Sequence, residues 1–161
     1  MERSKPTLNI LVGLPGAGKS TYIKNLPREC KPAVVSPDSE RAAILEVEET
    51  PGAAKPWLPA IEPYVWAVVE AKVKAYLTRG RDVVLDATNT QRWGRDLAAK
   101  WARDAGGEHC FTVLPFDPDL SRKRRKGQMP DEAIERMIAG YEPVADDEGP
   151  RCPVPLVCAP L

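Results

Sequence analysis

Glycines at positions 13, 16 and 18, followed at once by Lys19 and Ser20, are the residues whose types and spacing most directly carry chemistry. The segment runs Gly13, Leu14, Pro15, Gly16, Ala17, Gly18, Lys19, Ser20, Thr21. Gly13 and Gly18 bracket four residues, the spacing that curls backbone N–H groups around a phosphate chain. Glycine permits positive φ and lets the backbone approach an anion with no Cβ in the way. Lys19 then reaches the β- and γ-phosphates of a nucleoside triphosphate such as ATP, and the Ser20 hydroxyl ligates Mg2+. A glycine-rich turn is the plain structural alternative. The apolar run 8–12 before the segment and the helix-compatible stretch 19–26 after it are the context a phosphate-binding loop requires, and the helix turns its positive dipole end to the same phosphates.

Such a loop must be held by a strand-and-helix scaffold, and the rest of the chain supplies one. Residues 33–35 read as a short buried strand ending at Ser36. Ser36 followed by Pro37 fits a helix start, with an N-cap and proline at the first helical position. Ligands of open α/β sheets bind at the carboxyl ends of strands, so Asp38 and Arg41 are expected in the crevice of the phosphate loop. An aspartate here is equally well explained as first-turn helix chemistry. Residues 46–63 hold Pro51, Gly52, Pro56, Pro59 and Pro63 and predict a broken excursion. Trp57 within it is read as packing, the commoner fate of tryptophan, over a substrate-receiving surface.

A helix is expected over 64–77 from the apolar spacing of Val65, Val68, Val69, Val73 and Leu77. The third strand closes on Asp86, a carboxylate placed to hold the Mg2+ shell. A helix over 93–105 and a strand over 109–114 follow. This alternation predicts an α/β fold: a parallel sheet of four to five strands with helices on both faces. Five consecutive basic residues, 122–126, then sit on a predicted helix. A solvated face is the ordinary reading of such a run. In a phosphoryl-transfer enzyme it is a lid, spanning about 117–129, that neutralises charge on the transferred group. A last helix is expected over 129–141, then a proline-rich tail, 142–161, that packs as an edge segment or drapes over a nucleotide base.

Composition sets outer bounds. At 161 residues the chain is expected to form a single domain with its own core. Lys plus Arg and Asp plus Glu are both 23, a net charge of zero, so any contact with nucleic acid must come from a local basic patch. Cys30, Cys110, Cys152 and Cys158 follow no metal-finger spacing, and His109 is the sole histidine. No leader or membrane span is read, so the expectation is a cytoplasmic protein with reduced thiols.

With these residues placed, the chain resembles the kinase domain of the phage-type polynucleotide 5′-kinases, within the wider group of P-loop kinases. Four blocks over roughly 8–144 carry the resemblance: GLPGAGKST, SPDSER at 36–41, VVLDATNT at 83–90, and the basic lid followed by MPDEAIERMIAGYEP. The resemblance implies that Asp38 is the general base for a 5′-hydroxyl and that Arg41 contacts the acceptor's 3′-side phosphate. Family lids usually carry arginine immediately before their glycine, whereas this chain has Lys126, with Arg125 one place earlier; Arg122 fits the upstream lid arginine. Many relatives also carry a phosphatase with a DxDGT motif, which this sequence lacks, so a separate phosphatase, and a ligase in the same route, are expected partners.

The function that follows is ATP-dependent phosphorylation of a 5′-hydroxyl end of DNA or RNA, with Arg92, Arg95 and the lid contacting strand phosphates. The alternatives are a kinase of the same fold acting on a small-molecule hydroxyl, which zero net charge favours slightly, and a nucleotide-gated binding module without an acceptor.

Overall fold

The computed structural model describes residues 5–47 and 57–153. Four parallel strands form its centre: β1 (Thr7–Val12), β2 (Ala33–Val35), β3 (Val83–Leu85) and β4 (Glu108–Val113), in the order β2-β3-β1-β4. Leu8 pairs with Val83 on one side and His109 on the other. Because β1 is central and buried on both faces, its sequence is a near-continuous apolar run. Six helices connect and follow the strands: α1 (Lys19–Lys24), α2 (Pro37–Ile44), α3 (Glu62–Thr78), α4 (Arg92–Asp104), α5 (Pro118–Arg125) and α6 (Asp131–Ala139). The core lies where α3 and α4 cover the sheet, and one buried cluster holds Val65, Val69, Val73 and Leu77 of α3 with Ile10, Val12, Leu85 and Phe111 of the strands.

Several sequence expectations shift here. Helix α1 ends at Lys24, two residues early, its last turn closed by the Asn25 amide. Helix α3 begins at Glu62, before the predicted Tyr64, because Pro63 falls in the first turn, where its missing N–H costs nothing. Of the excursion 46–63, residues 48–56 lie outside the described residues, and Pro59–Ile61 form a 3-10 turn. Trp57 is 68% exposed, so the packing reading is corrected: it precedes the helix on the surface.

The tail resolves as an edge segment over 150–152. The Phe111 amide donates to the Pro150 carbonyl, and the Cys152 amide to the Phe111 carbonyl, placing Arg151 in parallel register beside β4. That register sets the Cα atoms of Cys110 and Cys152 4.9 Å apart, and their sulfurs are bonded. The expectation of reduced thiols is therefore corrected for this pair. Gly149, at φ +140, makes the approach: a Cβ there would fall 2.5 Å from His109 Nε2. Residues 154–161 of the predicted tail lie outside the described residues. No helix among the described residues is long and apolar enough to cross a membrane.

Candidate active site

The glycine-rich segment leaves the buried end of β1 and turns into α1. Gly13 and Leu14 present their carbonyls to the Lys19 ammonium at 3.0 and 2.9 Å, so the lysine folds back over the loop. The Ala17 amide donates to the Leu14 carbonyl, and Pro15 is buried beneath. Gly16 (φ +79) and Gly18 (φ +107) occupy the left-handed region that only glycine adopts without strain. Ser20 and Thr21 are exposed at the start of α1. Burial pulls the Lys19 pKa down to about 8; Asp86 opposes the shift and Arg125 adds to it. An ammonium so desolvated has a strong drive to meet an anion.

On one flank, α2 follows β2 as expected, with Ser36 at the N-cap and Pro37 first. Asp38 accepts from Arg41 Nη1 at 2.6 Å. The remaining prongs of the same guanidinium, Nε and Nη2, donate to Glu62 at 2.5 and 2.9 Å. Hydrogen bonding by Glu62 raises the Arg41 pKa, with Asp38 adding to the effect. A single cation thus joins the first turn of α2 to the first residue of α3, and leaves Asp38 half-exposed at its end. Asp38 is also near enough to act on the charge of Lys19, which ties this pair to the loop. Glu62 was missed by sequence reasoning. The available signal was an acidic residue opening a helix directly after a proline-rich stretch.

On the other flank, α5 leans on the loop. Ser121, fully buried, donates to the Pro15 carbonyl at 2.5 Å, and Arg124 Nη1 donates to the Gly16 carbonyl at 2.7 Å. A Cβ on Gly16 would lie 3.1 Å from Arg124 Cβ and 3.6 Å from Arg125 Nε. Arg125 donates through Nη1 to Gln128, while its buried Nε has no hydrogen-bond partner among the described residues. The predicted lid cations therefore separate. Arg125 faces the loop. Arg122 points away, paired with Glu135 of α6 at 2.6 Å and Asp119 at 2.9 Å; hydrogen bonding by Glu135, with Asp119 adding, raises its pKa. Lys126 is exposed and already outside the helix, with extended backbone. Ser121 and Arg124 were not singled out from sequence; only the fold shows which side of a short basic helix meets the loop.

Between the flanks, Asp86 closes β3, its amide donating to the Val35 carbonyl. Asn89, at φ 44, donates through Nδ2 to the Leu11 carbonyl at 2.7 Å, and the Thr88 carbonyl accepts from Gly13 N at 3.0 Å. Arg95 is not a surface contact for a strand. It is fully buried against Glu148, since it shares the α4 face of Ala98, Ala99 and Ala102. Arg92 is exposed but bonded to Asp147. A cavity of about 580 Å3 lined by Val113, Leu114, Phe116 and Tyr141 opens at the end of β4, where Leu114 meets Gly13.

No curated protein matches the chain significantly. Among solved structures, a chain of the Pnkp1/Rnl/Hen1 RNA repair complex is similar at 25% identity and a TM-score of 0.70, over 85% of this chain and 44% of that one. This chain thus spans less than half of that relative's length. A gluconokinase from Sinorhizobium meliloti shares the fold at 18% identity and a TM-score of 0.55, over 88% of this chain and 78% of that one. The APS kinase CysC of Mycobacterium tuberculosis, solved with AMPPNP and APS, does so at 16% and 0.57, over 89% and 86%. The fold is that of the P-loop kinases, with the nucleotide-binding loop in place. The AAA domain family model matches residues 8–144, and the chain belongs to that family.

Proposed function

We propose that this domain transfers the γ-phosphoryl group of ATP to the 5′-hydroxyl end of DNA or RNA. The observation that carries the reading is the Asp38–Arg41–Glu62 chain beside the phosphate loop: a half-exposed carboxylate at the end of a guanidinium that a second carboxylate fixes. Asp38 accepts the proton of the attacking hydroxyl as the O–P bond forms. Arg41 orients Asp38 and takes the acceptor's 3′-side phosphate through the N–H groups of Nη1 and Nη2 that Asp38 and Glu62 do not use. Lys19 and Arg125 neutralise the charge that gathers on the γ-phosphoryl oxygens as the bond to ADP breaks. Since such transition states are loose, positioning supplies most of the rate.

Ser20 and Asp86 would hold Mg2+. Among the described residues no cluster of three or more His, Cys, Asp or Glu is built to bind a metal alone. With a nucleotide, Mg2+ is held through one or two protein ligands together with phosphate oxygens and water. The ion would shield the phosphate charge when bound. The likeness to a chain of an RNA repair complex supports the polynucleotide acceptor; a separate phosphatase and ligase would then be its partners in end healing. The shared fold with gluconokinase and APS kinase supports the second reading, a small-molecule acceptor.

An acceptor panel decides between them. The protein is given γ-labelled ATP, Mg2+ and, separately, 5′-hydroxyl DNA and RNA oligonucleotides, a 3′-phosphorylated nucleoside and gluconate. Label in the oligonucleotides supports the first reading, and label in gluconate alone overturns it.

A further inference from the structure

Arg95 has no place in the mechanism above, yet it is the largest fully buried side chain among the described residues. Its Nε and Nη2 donate to both oxygens of Glu148, at 2.7 and 2.9 Å. Its Nη1 donates to the Asn89 carbonyl at 3.1 Å and the Glu142 carbonyl at 3.0 Å. A buried ion pair is poor value as a stabiliser, because desolvation offsets most of the attraction and an apolar pair of like volume often does as well. What this pair adds is direction. The bonds continue from Asn89, whose amide side chain holds the Leu11 carbonyl, to Thr88, whose carbonyl holds the Gly13 amide. Gly13 in turn accepts from Lys19. A second tie runs parallel: the Glu142 amide donates to the Thr90 carbonyl, and the Glu142 carboxylate accepts from the Arg92 amide at the start of α4.

We propose that Arg95 is a positioning residue for the nucleotide: clamped by Glu148, it pins the β3–α4 turn against the first residue of the phosphate loop and so fixes where the Lys19 ammonium sits. Segment 142–152 is then part of the nucleotide site, although its hydrogen bonds go to the β3–α4 turn, α4 and β4. The inference rests on the P-loop kinase reading for its ligand, and not on the identity of the acceptor.

The test uses AMPPNP, whose affinity is read by calorimetry, alongside thermal denaturation of the full chain. Two variants are compared with wild type: Glu148→Gln, and the exchange Arg95→Glu with Glu148→Arg. The exchange restores a buried pair, but the guanidinium then comes from the tail and no longer donates to Asn89. The expected result is a melting temperature near wild type with AMPPNP bound about tenfold more weakly, as a loop displaced by a fraction of an ångström would give. Affinity that recovers together with the melting temperature would overturn the proposal and leave Arg95 a structural pair only. If the exchange does not fold, Glu148→Gln decides. It keeps an acceptor for Arg95 without the charge, and threefold or greater weakening of AMPPNP at an unchanged circular dichroism spectrum supports the proposal, while unchanged affinity overturns it. A wild type that binds AMPPNP but labels no oligonucleotide sinks the polynucleotide reading without touching this one.

Discussion

Replacing Glu62 with glutamine tests whether the acceptor half of the site works through Arg41. The wild-type pair makes two charge-assisted bonds, at 2.5 and 2.9 Å, with side chains 16% and 19% exposed. An exposed pair would be worth at most about 1 kcal/mol, and a charge-assisted hydrogen bond in a sheltered site about 1.5–3 kcal/mol. With side chains this sheltered, the pair falls in the second range, so losing the charge and one acceptor should cost about 2 kcal/mol. If that energy holds the Arg41 fork in its working direction, kcat/KM for a 5′-hydroxyl oligonucleotide falls about 30-fold, at 1.4 kcal/mol per factor of ten. AMPPNP affinity should hardly change, because Glu62 has no bond to the phosphate loop among those described. The assay is label transfer at varied oligonucleotide concentration for wild type, Glu62→Gln, Arg41→Lys and the double variant. Coupling requires that the double variant be little worse than Arg41→Lys alone. Additive losses, or a loss under threefold in Glu62→Gln, would refute the reasoning.

Other expectations follow from the same geometry. Arg125→Ala should lower kcat by two orders of magnitude or more, and Arg122→Ala by less than about tenfold, since of these two arginines Arg125 faces the loop and Arg122 faces Glu135; single-turnover label transfer separates them. Gly16→Ala should weaken AMPPNP at least tenfold by calorimetry, because φ is +79 and the new Cβ would stand 3.1 Å from Arg124 Cβ. Lys19 has a native pKa lowered to about 8 from 10.5, so below pH 8 it is charged in both folded and unfolded chains and its burial opposes folding. Between about pH 8 and 10.5 the folded chain gives up that proton first, and this opposition is relieved as pH rises. Binding runs the other way: only the ammonium attracts the phosphates, so AMPPNP affinity of the free protein should fall as pH rises through about 8, as calorimetry across pH 7–9.5 would record.

The scaffold was legible because its signals are local. The strand, glycine loop and helix start lie within residues 7–24, and α2 declares itself through Ser36 and Pro37. Pairings between distant segments were not legible. Glu62 meets Arg41 only because α2 and α3 pack together, and nothing near Glu62 names its partner. Arg95 was taken for a strand contact from its charge. Its spacing to Ala98, Ala99 and Ala102 did place it on the apolar face, but the compensating Glu148 lies 53 residues on. The bond between Cys110 and Cys152 likewise depends on where the tail returns, at the free edge of β4. The basic lid shows a third limit: composition finds the helix, while its rotation about its own axis decides that Arg124 and Arg125 face the loop and Arg122 faces Glu135.

The most direct test of the central claim is label transfer from γ-labelled ATP to a 5′-hydroxyl oligonucleotide by Asp38→Ala, beside wild type and with AMPPNP affinity measured for both. The account predicts that wild type labels the 5′ end, and that the variant binds AMPPNP as wild type does but transfers at least about a hundredfold more slowly. Transfer at the wild-type rate by Asp38→Ala would contradict the assignment of the base, and absence of label with wild type would contradict the polynucleotide acceptor itself.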